Sequence, residues 1–168
     1  MRESAGDSAS ARAIIFAVES NSAHETKAWG RRLASVLEGG ELLGLIGELG
    51  AGKTCFVKGL ARGLNLREED ILSPSFTMIQ EHRGRFPLYH IDLYRLESAA
   101  IDDLGLREYL FSEGVAAVEW FERLREAGEL ECVWVRISYS GANTRRIEFS
   151  ASGQRHGAVV SNLKRRFA

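Results

Sequence analysis

An α/β fold, a mostly parallel sheet flanked by helices with some antiparallel strands, is what this sequence predicts. Three observations carry that expectation. Short apolar runs of strand length alternate with segments of helical periodicity along the chain. One such run, Glu41 to Gly47, opens directly onto a glycine-rich turn and then a helical pattern, the order of a parallel-sheet unit. Finally, 168 residues with 45% hydrophobic side chains, no internal repeat and no long linker suit a single core of ordinary size.

Taken in order, residues 1 to 12 are small, polar and without period, which predicts a floppy leader, so the domain is expected over residues 13 to 168. Ala13 to Val18 reads as a strand. Ser22 followed by Glu25 is a capping-box pattern, and Trp29, Leu33, Val36 and Leu37 behind it recur as one face of an amphipathic helix that Gly39-Gly40 would stop. Glu41 to Gly47 is then a buried strand and Thr54 to Gly63 a helix. Ser73-Pro74-Ser75 is an extended loop, because the proline ring biases its predecessor away from helix. Thr77 to Glu81 and Leu88 to Arg95 are two strands, with a hairpin around Arg83-Gly84-Arg85. Residues 98 to 111 read as helical, Val115 to Trp120 as a buried strand, and a short helix ends near Gly128. Cys132 to Tyr139 and Thr144 to Ser150 are late strands, and the last ten residues a terminal helix.

Composition excludes several function classes. With 22 basic and 23 acidic side chains the net charge is −1, so the chain does not hold nucleic acid by overall charge. No apolar run approaches the ~20 residues that span a bilayer, and the N-terminus lacks a signal-peptide core. Two cysteines, Cys55 and Cys132, allow neither a disulfide framework nor a Cys-rich zinc site. The expectation is a cytoplasmic protein with no membrane partner.

The chemistry concentrates in Gly47-Glu48-Leu49-Gly50-Ala51-Gly52-Lys53-Thr54, which fits G-x-x-x-x-G-K-[ST] in full. Its glycines let backbone amides turn inward around anionic oxygens, and the following helix adds free N–H groups and its dipole. In this phosphate-loop pattern Lys53 faces the β and γ phosphates of a nucleotide and the Thr54 hydroxyl ligates Mg²⁺. Such a loop needs a carboxylate for the metal and the attacking water. Two strands end in one: Asp92 closes Leu88 to Asp92, and Glu119 closes Val115 to Glu119.

Ser73-Pro74-Ser75-Phe76-Thr77, Tyr89-His90-Ile91-Asp92-Leu93-Tyr94-Arg95-Leu96 and Val118-Glu119-Trp120, together with Gly50-Ala51-Gly52-Lys53-Thr54, resemble the motifs of one family in order. It is the bacterial TsaE (YjeE-type) ATPase family, which serves tRNA threonylcarbamoyladenosine biosynthesis, and the resemblance runs from about Ser22 to about Tyr139. It implies a phosphate-loop NTPase-type domain using ATP and Mg²⁺, an ATPase weak alone and stimulated by partners. Asp92 matches the family's Walker-B-like acid, and Glu119 its metal-associated glutamate. Thr77 falls in a segment like a GTPase switch loop, and Trp120 matches a tryptophan beside the nucleotide. Catalysis would then rest on Lys53, Asp92 and Glu119, nucleotide binding on Glu48, Leu49, Gly50, Ala51, Gly52, Lys53, Thr54, Cys55, Thr77 and Trp120, and the metal on Thr54, Asp92 and Glu119. Residues Ser22 to Thr26 are implied beside the adenine. The implied partner is a two-subunit threonylcarbamoyl-transfer complex, with tRNA reached indirectly through it.

The chain departs from the family pattern at Ser75, Gln80, Phe121 and Cys55, none of which removes a named catalytic group. Two other readings remain. A small-molecule kinase would need a lid, for which Arg123, Arg125, Arg145 and Arg146 are the arginines at hand. A nucleotide-gated binding module would need no turnover. The lack of an N-K-x-D base-reading sequence speaks against a GTP-specific switch. Four histidines, His24, His82, His90 and His156, show no metal-ligand spacing, although His90 shares a strand face with Asp92 and is placed to orient it. Cys55 reads as a small packing residue or as a thiol whose pKa the helix terminus lowers. The acid-free tail with Arg155, Lys164, Arg165 and Arg166 suits a helix C-terminus or a weak tRNA contact.

Overall fold

In a computed structural model, residues 15–73 and 78–168 are described. The expected leader, the start of the first strand, and Pro74 to Thr77 with its switch-like threonine lie outside them. Strands are β1 (Phe16–Ser20), β2 (Leu42–Ile46), β3 (Ile79–Arg83), β4 (Pro87–Asp92), β5 (Val115–Glu119), β6 (Cys132–Tyr139) and β7 (Arg145–Ser152). Helices are α1 (Ala23–Ala34), α2 (Lys53–Gly63), the single turns α3 (Ile101–Leu104) and α4 (Arg107–Leu110), and α5 (Gln154–Phe167).

The seven strands form one sheet in the order β1-β7-β6-β2-β5-β4-β3. The four central strands β6, β2, β5 and β4 are mutually parallel, while β1–β7, β6–β7 and β3–β4 pair antiparallel at the flanks. All five residues of β2 are buried, as expected of a strand covered on both faces. Its side chains sort by parity. Leu43 and Leu45 join a core with Leu33, Phe56, Leu60, Phe149 and Val160, under α1, α2 and α5. Leu42 and Ile46 join a second core with Val118, Phe121, Trp134, Ile101 and Leu110 on the opposite face.

The capping box forms, with one shift: Ser22 Oγ accepts from the Glu25 amide at 3.1 Å, while the Glu25 carboxylate reaches back to the amide of Asn21 at 2.7 Å. Helix α5 starts at Gln154, five residues before the expected last ten, and β1, β3 and β7 end two residues later than expected; four further differences have a visible cause. Helix α1 ends at Ala34 rather than at Gly39-Gly40, because Val36 and Leu37 bond three residues back and tighten into turns that still bury their side chains. Strand β4 stops at Asp92, where the Tyr94 amide bonds the Asp92 carboxylate at 2.9 Å and turns the chain, so Tyr94 and Arg95 leave the strand. Residues 98–111 form two single turns broken at Gly105, whose φ of 65° ends the first. The helix expected before Gly128 is two 3₁₀ turns, Phe121–Arg123 and Ala127–Glu129. No helix among the described residues is long and apolar enough to cross a membrane.

Helices α1 and α2 touch through backbone. A Cβ on Gly59 would lie 1.9 Å from the Lys27 carbonyl oxygen, and one on Gly30 2.2 Å from that of Phe56. This contact fixes the first turn of α2, where the phosphate loop ends, against α1.

Candidate functional site

Strand β2 ends at Ile46, and the chain turns back into α2 through Gly50 at φ 76° and Gly52 at φ 115°, conformations that a side chain resists. Gly52 is the N-cap of α2 and no side chain caps the helix, so the first-turn amides keep their donors for an anion. Tyr139, at the end of neighbouring β6, donates to the Leu49 carbonyl at 3.2 Å, and Arg145 Nε donates to that of Ala51 at 3.0 Å. The loop is thus braced from outside by β6 and β7.

Parity places the polar residues. Val115 and Ala117 of β5, and Leu88 of β4, belong to the core beneath α2. Glu119, His90 and Asp92 follow at even spacing and so project to the same side. In the parallel register Asp92 pairs with Glu119, and His90 with Ala117. Glu119 is 2% exposed, and its Oε1 accepts from Thr54 Oγ1 at 2.6 Å. His90 is fully buried, with Nε2 3.4 Å from the same Oε1 but out of line for a hydrogen bond. Burial, with the nearby Glu119 charge, raises the Asp92 pKa above the ordinary carboxylate value, against the amide bond from Tyr94.

Lys53 is 5% exposed, and its ammonium donates to the carbonyls of Gly47 at 2.5 Å and Glu48 at 2.9 Å. It also lies 4.2 Å from the centroid of the Trp120 ring. Burial lowers its pKa, and the carboxylates of Glu119, Glu122 and Asp92 oppose that shift. Trp120 itself has φ 58°, a strained value for a bulky residue, which swings its ring over the loop after β5 ends. The Arg123 guanidinium lies 5.0 Å from the same ring, and the Tyr94 ring 5.0 Å away.

Beside the loop is an open cleft of about 560 Å³ lined by Asn21, Ser22, Ala23, Thr26, Gly50, Ala51, Gly52, Cys55, Asn143 and Arg145. A second, of about 400 Å³, lies on the loop's other flank against Glu48, Leu49, Trp120, Glu122 and Arg136. The structure therefore brings together Lys53, Thr54, Asp92, Glu119 and Trp120 around the loop, and places Gly50, Ala51, Gly52 and Cys55 on one cleft and Glu48 and Leu49 on the other. Leu49 is the outlier in chemistry, 67% exposed. Burial raises the Cys55 thiol pKa, opposed by Lys27 and Lys58, the opposite direction to the lowering that an activated thiol would need. Among the arginines considered for a lid, Arg145 is bonded to the loop and Arg146 to Glu148 at 2.9 Å. Sequence reasoning missed Tyr139 and Asn143, and gave Arg145 another task. The signal was absent because nothing local says that β6 lies beside β2.

The donor set tests the fit of a magnesium ion. A hydroxyl and two carboxylates are hard oxygen ligands, which suit Mg²⁺. Among the described residues no group of three or more His, Cys, Asp or Glu could hold a metal alone. A magnesium ion here would draw its remaining ligands from phosphate oxygens and water, as such ions usually do.

A family model described as "Threonylcarbamoyl adenosine biosynthesis protein TsaE" matches residues 20–147. A protein of Bacillus subtilis named tRNA threonylcarbamoyladenosine biosynthesis protein TsaE is 42% identical over 84% of this chain and 89% of its own length. Its namesake from Treponema pallidum is 48% identical over 71% of this chain and 87% of its own. The crystal structure of Bacillus subtilis YdiB superposes with a TM-score of 0.75 at 35% identity, over 91% of this chain and 96% of that one.

Proposed function

Because the chain belongs to the TsaE family, we propose that it is a Mg²⁺-dependent ATPase supporting the complex that forms threonylcarbamoyladenosine beside the tRNA anticodon. The observation that carries this reading is the convergence of Thr54, Glu119 and Asp92 at the ends of two parallel strands, facing a phosphate loop whose lysine is buried beside them. That end of the sheet is where α/β folds bind ligands.

In this reading the loop amides and the first turn of α2 receive the β-phosphate, while Lys53 leaves its two carbonyls for the β and γ phosphates. Thr54, Asp92 and Glu119 would hold Mg²⁺, which supplies charge neutralisation on the phosphate oxygens as they react. Glu119 also polarises the attacking water. The nucleoside fits the cleft between Asn21–Thr26 and Arg145. Trp120 closes the phosphate side.

Phosphate-loop ATPases with an incomplete site are slow until a partner completes it. The expected partner is the two-subunit threonylcarbamoyl-transfer complex, with tRNA reached through that complex. Steady-state ATP hydrolysis by the chain, alone and with those subunits and tRNA, tests the proposal. Slow turnover alone and stimulation by the partners is the expected result. A rate on the order of 1–100 s⁻¹ alone, unchanged by partners, would revive the kinase reading.

A further inference from the structure

We propose that His90 is a positioning residue that holds the Glu119 carboxylate through its Nε2–H once Thr54 turns to the metal; this rests on the ATPase reading above. His90 is fully buried in β4, and neither ring nitrogen has a hydrogen-bond partner. A buried polar side chain left unsatisfied destabilises a fold, whereas an apolar group of similar shape in its place is neutral or better. Hydrogen bonding within the ligand-free fold therefore gives no reason for a histidine between Leu88 and Asp92 on this face. Function gives one.

The geometry supplies the role. Opposite His90 on β5 stands Ala117, whose single methyl leaves the ring room to reach along the sheet toward Glu119. Nε2 stops 3.4 Å from Glu119 Oε1, the same oxygen that accepts from Thr54 at 2.6 Å. When the Thr54 hydroxyl serves the metal, Oε1 loses that donor. A turn of the ring that brings Nε2–H into line, with a closure of about 0.5 Å, makes an ordinary hydrogen bond and replaces it. The carboxylate then passes from one donor to another without rotating freely, which would leave its second oxygen for metal and water. Partners of metal-binding carboxylates and histidines act in this way. His90 touches neither nucleotide nor metal; it works through Glu119.

Two variants test this, His90→Leu and His90→Gln, since glutamine can present an N–H near the place of Nε2 and leucine cannot. The ligand-free His90→Leu protein is expected to melt at or above the wild-type temperature and to bind ATP without metal as the wild type does. With Mg²⁺ and partners, its kcat should fall about 10- to 100-fold with KM within twofold, and its Mg²⁺ requirement should rise. His90→Gln should recover most of both losses. A leucine variant that unfolds, or one that keeps wild-type kcat and Mg²⁺ requirement, overturns the proposal, as does a glutamine variant no better than leucine. Wild-type protein that hydrolyses no ATP with partners present overturns the ATPase reading and this inference with it; wild-type turnover with an unaffected leucine variant overturns this inference alone.

Discussion

Replacing Glu119 by glutamine changes one charge and almost no volume, and the structure sets the sign of each consequence. Asp92 and Glu119 face each other across two parallel strands. Taking the ~5 Å spacing of neighbouring strands as the charge separation, with an effective dielectric of ~20, two carboxylates repel by about 3 kcal/mol. That repulsion is part of what raises the Asp92 pKa, and a divalent cation relieves it. In Glu119→Gln the repulsion is gone, yet Oε1 still accepts from Thr54. The ligand-free protein should therefore be no less stable than wild type by more than about 1 kcal/mol, the difference between a charge-assisted and a neutral hydrogen bond. Metal-free ATP, strongly anionic, should bind as well or better. Hydrolysis with Mg²⁺ should fall by about 10²- to 10⁴-fold, the span expected for a lost proton acceptor. The assay pairs calorimetric titration of ATP, with and without Mg²⁺, with single-turnover hydrolysis. Hydrolysis within threefold of wild type would return Glu119 to a buried acid at a strand end and refute the argument.

Lys53→Ala should abolish hydrolysis and weaken ATP binding about tenfold or more, because the site then loses its buried cation; equilibrium binding and a phosphate-release assay check both. Trp120 fluorescence should change with ATP or ADP, since Lys53 now contacts its ring and must move to meet phosphate. Trp29 and Trp134 sit in the two cores, so their joint change to Phe isolates the signal, and a flat trace under proven binding would place Trp120 outside the response. Stability should decline as pH falls from about 7 toward 5. Burial lowers the His156 pKa below its ordinary 6.5, and its Nε2 accepts from the Leu42 amide, so the fold favours the neutral ring. The contribution is whole above pH 6.5 and is lost as the unfolded chain takes up the proton first. His156→Gln should flatten that slope in denaturant titrations, and an unchanged slope would assign it to other groups.

Much of this site was legible because its parts are local. Gly47 to Thr54 is a contiguous motif, and its lysine and threonine have no other place to go once Gly50 and Gly52 turn the chain. Asp92 and Glu119 were readable as acids that end apolar strands, and the register shows why two such acids meet. His90 was read as a partner of Asp92. Its ring lies instead against Glu119, one strand over, because β4 and β5 are neighbours that sequence alone does not announce. The same blindness hid Tyr139 and Asn143. Helix ends were misjudged where a weak signal met a stronger one. Glycines at 39 and 40 looked like the stop of α1, while the bonding of Val36 and Leu37 had already tightened the chain into turns.

The backbone contact between Gly59 and Lys27, and between Gly30 and Phe56, has a bearing on ligand choice. One wall of the cleft proposed for the nucleoside is the start of α1 and the floor is the loop entering α2, so both belong to a pair of helices held in close backbone contact. Neither can yield to a bulkier ring without sliding the other. The remaining wall, Asn143 and Arg145 where β6 passes into β7, hangs on side chains and a hairpin end. With the nucleoside in this cleft, as proposed, discrimination among bases would be set on a caliper with one fixed jaw, and Asn143 is the part of the other jaw that substitution can reset while Arg145 keeps its bond to the loop.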